Sequence, residues 1–108
     1  MLVNDIVKYK RTAEMEELYI MLVNDATAYR LWHSKAVNYA KAMHNGTAIL
    51  MEQIASKMMP CITQSCVRLL NEYHKITGDF LNVTKEQIEI VSWQWFYNEI
   101  MESYNFIK

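Results

Sequence analysis

Ile88-Glu89-Ile90-Val91-Ser92-Trp93-Gln94-Trp95-Phe96-Tyr97-Asn98-Glu99-Ile100 is the stretch on which the architecture turns. It holds no glycine or proline, and Thr84-Lys85-Glu86-Gln87 stands just ahead of it with the spacing of a capping box, so a helix is expected from Thr84 to about Phe106. At helical periodicity Ile90, Trp93, Tyr97, Ile100, Met101 and Tyr104 share one face, while Ile88, Val91 and Trp95 point roughly the other way. A helix apolar on two sides wants two neighbours. In a three-helix monomer only one broad face is covered. The second stripe therefore marks Ile88, Val91 and Trp95 as candidate partner-binding residues, for a second subunit or a bound target. The competing expectation is that the N-terminal arm, carrying Leu2, Val3 and Ile6, folds back over that stripe.

The rest of the chain agrees with a helical reading. Its 108 residues fit one domain, 1–108, and the 52% apolar content is enough to fill a single core. With only two glycines and one proline, loops and turns must be few, which favours long regular elements and an all-α fold. A formal charge of −1 gives no global attraction to nucleic acid or anionic lipid, so nucleic acid is not an expected partner and any charged ligand must meet a local patch. The N-terminus lacks the pattern of a cleaved leader. No uncharged apolar run approaches the roughly 20 residues that span a bilayer, so no membrane association is expected and the expected location is cytoplasmic.

Five residues occur twice: Met-Leu-Val-Asn-Asp opens the chain at 1–5 and returns at 21–25. Around the second copy an apolar three-four spacing runs through Met15, Leu18, Leu22, Tyr29, Trp32, Ala36, Tyr39 and Met43 without losing phase, with Asp25 its one polar intruder. That continuity predicts one long helix over about 12–44, stopped by Asn45-Gly46. The alternative breaks it at Asp25, with both copies serving as helix caps. The first copy belongs to an N-terminal arm, a short helix capped by Asn4 or Asp5. A second long helix is expected over about 47–77, its stripe running through Leu50, Ile54, Met58, Ile62, Cys66, Leu69, Leu70, Tyr73 and Ile76, with a kink or restart at Pro60 and Gly78-Asp79 as its end. Three long helices with short links read as an up-down-up bundle.

Chemistry-bearing residues are sparse. His33 and His44 fall on one side of the first long helix, but eleven residues of helical rise hold them roughly 16 Å apart, too far to share a metal. Glu-x-x-His and His-x-x-x-His spacings are missing, so neither metal nor cofactor is expected. Cys61 and Cys66 stand about 140° apart on a helix and are expected as thiols. Cys61 would become a nucleophile candidate if a helix restarting at Pro60 aimed its dipole at the sulfur, although a structural role is favoured because free cysteines are so often core residues. Two glycines exclude Gly-rich phosphate loops. Glu86/Glu89 and Glu99/Glu102 stand at i, i+3, and acid near a helix start serves the macrodipole. Asn45-Gly46-Thr47 and Asn82-Val83-Thr84 match the glycosylation triplet, which has no meaning without export, and are read as turn residues.

One charge feature stands out: no acid occurs between Asp25 and Glu52, and Arg30, His33, Lys41 and His44 project from one side of the first long helix, opposite the Tyr29/Trp32/Ala36/Tyr39 stripe. This basic ridge is a candidate phosphate-binding surface, for a nucleotide or a nucleic-acid backbone, the alternative being a solvated face. Tyr73-His-Lys-Ile-Thr-Gly-Asp-Phe followed by Thr84-Lys-Glu-Gln-Ile-Glu-Ile resembles a turn-plus-helix segment of phage proteins that sequester cyclic nucleotide signals. The likeness covers residues 73–90 and follows mostly from helix-stop and capping-box chemistry, so no family is assigned on it. Small size, many Met, Tyr and Asn residues and little Gly or Pro also look like the accessory proteins that phages direct at host machinery. The functional expectation is a non-enzymatic helical module that self-associates or docks on a partner protein, with phosphate binding by the ridge as the alternative.

Overall fold

Among the described residues the chain forms five helices, and the last of them sits in the middle. In a computed structural model that describes residues 2–46 and 50–107, α1 spans Val3–Lys8, α2 Ala13–Val23, α3 Ala26–His44, α4 Met51–Thr77 and α5 Lys85–Phe106. Each of the other four packs against α5, α3 most extensively and then α4, α2 and α1, while α2 also leans on α4. The all-α class is as expected, and α1 is the short helix expected in the N-terminal arm; of the three long helices expected, the first is corrected to two, α2 and α3. The start proposed for the second long helix, at Thr47, lies outside the described residues.

The first long helix is two. Continuity of the apolar phase through residues 21–25 masked a corner at which Asn24 ends α2 and Asp25 begins α3. Asp25 leaves the helical region (φ −89°, ψ 108°) and its Oδ2 accepts from the Ala28 amide at 2.9 Å, satisfying a donor that has no partner within the helix. The same carboxylate is paired with Arg68 of α4, 43 residues away, and Arg68 also reaches Glu72 at 3.2 Å. Burial works against the Arg68 charge, but the hydrogen bond and charge of Asp25, then those of Glu72, outweigh it and hold the guanidinium above its ordinary pKa. Leu18 and Leu22 on α2 and Ala28 and Ala36 on α3 are all fully buried, so the apolar phase is kept while the axis changes.

The first copy of the repeated word also differs from expectation. Its helix begins at Val3 with Leu2 as N-cap and no side-chain cap, which puts Asn4 and Asp5 inside the first turn. What fixes α1 is Gln94, buried in the centre of α5. Its Nε2 donates to the carbonyls of Ile6 (2.8 Å) and Tyr9 (2.9 Å), and its Oε1 accepts from Arg11 Nη1 (2.9 Å). Arg11 also bonds Glu16 at 2.5 Å and lies 3.9 Å from the Tyr19 ring centroid, and the Tyr19 hydroxyl accepts from Asn98. Three of the four hydrogen-bonding capacities of one buried amide are thus spent on tying the arm and the start of α2 to α5.

The helix stops and the last cap behave as the residues foretell. Gly46 (φ 82°) and Gly78 (φ 76°) take the left-handed conformation after α3 and α4, and the Gly78 amide donates to the His74 carbonyl at 2.8 Å. Thr84 and Gln87 form both bonds of the capping box, at 3.1 and 2.9 Å. Pro60 does not restart a helix: α4 is continuous from Met51 to Thr77. On α3, Ala28, Ala36 and Ala40 form the buried face, and such small side chains let the backbone approach α5 closely while Tyr39 meets Phe96 edge-on at 6.2 Å. Trp93, Trp95 and Phe96 are the largest fully enclosed side chains, each contributing on the order of 2–3 kcal/mol by burial alone. The Trp93 indole N–H has no partner.

Candidate functional site

The residues that the sequence singled out are mostly used by the chain itself. Val91 and Trp95 are buried at 0% and 2% exposure, and Ile88 is half-buried against the core. The expectation that they form an open docking stripe is corrected, because α1 and α2 supply the second neighbour that α5 needed. Branched aliphatic residues on the short N-terminal helices carry that cover: Val3 and Ile6 on α1, Leu18 and Leu22 on α2.

The basic ridge is divided. His33 turns towards α5, where its Nδ1 lies 3.0 Å from Glu99 Oε2, and its ring stacks on Tyr29 at 4.3 Å. Tyr29 is half exposed and on the His33 side of the helix, so the expected opposition of ridge and stripe fails at that residue. His44 lies against Tyr104, ring centroids 5.8 Å apart. Arg30 and Lys41 stay exposed, as does Lys35; Arg30 makes one long bond, 3.5 Å, to Thr27, and none of the three is ion-paired among the described residues.

Neither cysteine is placed as a nucleophile. Both are thiols. With α4 unbroken, Cys61 sits in mid-helix, where its Sγ donates to the Lys57 carbonyl at 3.7 Å and no helix terminus faces it. Cys66 is buried with Ser92 Oγ at 3.3 Å, and burial, partly offset by that hydrogen bond, pushes its thiol up to about 11. Among the described residues no group of three His, Cys, Asp or Glu side chains could hold a metal ion, and no helix is long and apolar enough to cross a membrane.

What the fold does assemble is a groove between the N-terminal half of α4 and the first turns of α5, closed at one end by α1. It consists of two adjoining hollows of about 360 and 460 Å³ that share Ala55, Ser56, Met59 and Glu89. The floor is apolar: Ala55, Met59 and Ile90, with Leu2, Val3 and Ile6 at the α1 end and Pro60 at the other. Glu52 from α4 and Glu86 and Glu89 from α5 stand on its walls against one cation, Lys85, and none of the three carboxylates is ion-paired among the described residues.

Pro60 adds to this polarity. Lacking an N–H, it cannot return a bond to the carbonyl four residues earlier, which belongs to Ser56 in the wall of the same groove. Carboxylates and a freed carbonyl only accept hydrogen bonds; Ser56 and Thr63 hydroxyls do either; Lys85 alone must donate. The groove therefore favours occupants that bring N–H donors and positive charge on aliphatic stems, as Lys and Arg do.

On α4 the lining residues Glu52, Ser56, Met59 and Thr63 follow the four-three-four spacing of one helical face, a mixed polar and apolar stripe beside the core stripe. That spacing is visible in the sequence, but it gains meaning only once Glu86 and Glu89 are known to lie across from it. The chain matches no protein-family model, no curated protein and no solved structure.

Proposed function

We propose that this protein is a non-enzymatic binding module that docks on another protein chain, a second copy or a different protein, through the groove between α4 and α5. The observation that carries the reading is the pairing of an apolar floor with three carboxylates that have no ionic partner among the described residues. Unpaired charge beside an apolar floor that is open at Leu2 and Pro60 and half open at Met59 is what a polar-rimmed protein interface presents before its partner arrives. A role as a small accessory or inhibitor protein of the phage kind is part of this proposal, since a helical body with one such groove can act by occupying a surface.

A photo-reactive residue substituted for Ser56, in the groove wall, is expected to cross-link to a protein segment in cells that express the chain. The same residue in place of Glu17, exposed on α2, serves as the reference and should give little adduct. Equal or absent adducts at the two positions would overturn the reading.

A further inference from the structure

We propose that the occupant of the groove is α3 of a second copy of this chain, so that the protein associates head to tail. The inference rests on the reading of the groove as a docking site and names its partner. The sequence between Asp25 and Glu52 contains no acid, and the outward side of α3 carries Arg30, Leu31, Ser34, Asn38 and Lys41, with Lys35 at its edge, all exposed. Leu31 is 51% exposed, a large apolar side chain among cations, on the side of the helix away from the buried alanines. The groove offers the complement: an apolar floor at Ala55 and Met59 for such a leucine and for the methylene stems of Arg and Lys, and carboxylates at Glu52, Glu86 and Glu89 for their charged ends.

Both surfaces belong to a chain whose formal charge is only −1, so the molecule is polarised, not charged, and its two poles attract each other between copies. Because the donor face and the acceptor groove are different surfaces, the contact is heterologous: each copy has one groove to fill and one α3 to offer, and the assembly extends or closes into a ring.

Sedimentation and light scattering at low ionic strength test this with two neutralised variants. Arg30→Gln/Lys35→Gln/Lys41→Gln removes the basic face and keeps the groove; Glu86→Gln/Glu89→Gln does the reverse. All five positions are exposed or half-buried, so helicity by circular dichroism should stay at the wild-type level. The wild type is expected to associate, to lose association as salt is raised, and each variant alone is expected to be monomeric. Mixed, the two should form a one-to-one heterodimer that grows no further, because only one intact groove and one intact face remain. A monomeric wild type, continued association of either variant, or a mixture that stays monomeric would each overturn self-occupancy. If the Ser56 adduct is then a foreign protein, docking at the groove stands and the choice of occupant falls; if there is no adduct, both fall.

Discussion

The same five letters, Met-Leu-Val-Asn-Asp, do two different jobs in this protein, and the contrast shows where local sequence stops deciding structure. At 21–25 they form a corner: Leu22 is buried, Asn24 closes α2 and Asp25 caps α3 while pairing with Arg68. At the N-terminus Leu2 stands outside α1, Val3 is buried, and Asp5 sits exposed in the first turn with no cap to make. What separates the copies is the group that comes from far along the chain: Arg68 of α4 pairs with the second copy itself, whereas Gln94 of α5 holds the chain just past the first, at Ile6 and Tyr9. A capping residue offers a bond; tertiary context decides whether the backbone turns to take it.

Breaking the first copy's anchor should have the largest effect. Gln94→Leu takes one bond from the Ile6 carbonyl, which keeps the Tyr9 amide, and one from Arg11, which keeps Glu16, and it strands the Tyr9 carbonyl; a buried polar group left unpaired costs roughly 1–3 kcal/mol. A loss of about 3 kcal/mol in denaturant unfolding is expected, with amide exchange rising first in residues 3–9 and not at the 24–25 corner. Uniform loss of protection would mean that the two copies are not independently held.

Raising pH loads the core that both copies share. Cys66 is held neutral in the fold to about 11 against an ordinary value of 9.0, so its contribution is fully present below pH 9 and is lost as the unfolded thiol ionises first, between about pH 9 and 11. Two pH units amount to about 2–3 kcal/mol of stability at the upper end. Cys66→Ala should flatten this part of the pH profile, and at neutral pH Cys61 should alkylate well before Cys66 does. An unchanged alkaline slope in the alanine variant would place the titration elsewhere.

The sharpest comparison is between the two aspartates. Asp25→Ala removes a cap and the partner of a partly exposed Arg68, an expected cost of about 1–2 kcal/mol. Asp5→Ala removes an exposed first-turn charge and should change stability by less than about 0.5 kcal/mol. Equal effects in thermal unfolding would erase the distinction drawn between the copies.

Much of the fold could be read from the residues, and the misses have physical causes. Gly78 as a stop, Asn45-Gly46 as a stop and Thr84/Gln87 as a capping box are local chemistry, complete within a few residues, and all three occur. The demand of Ile88, Val91 and Trp95 for a second neighbour was legible too, and the arm that folds back is part of the answer, with α2 the rest. The corner at Asn24-Asp25 was legible only as the alternative that breaks the helix at Asp25, and it ranked second because apolar periodicity reports which side is buried and is blind to a change of axis that keeps that side inward. Gln94 reads in sequence as a polar interruption between Trp93 and Trp95; its importance lies in carbonyls more than eighty residues away. The groove is illegible for a similar reason, since Glu86 and Glu89 look like ordinary acids near a helix start until α4 is set opposite them.

The central place of α5 carries a consequence for how the protein is made. A ribosome delivers α1 through α4 before residue 85 appears, so Met15, Leu18, Leu22 and Ile62 emerge with only the contacts of α4 with the earlier helices to cover them until Trp93, Trp95 and Phe96 follow them out. Native structure therefore waits on the synthesis of α5, and a nascent chain stalled ahead of it is a greasy, unfinished polypeptide of the kind that chaperones hold and proteases remove.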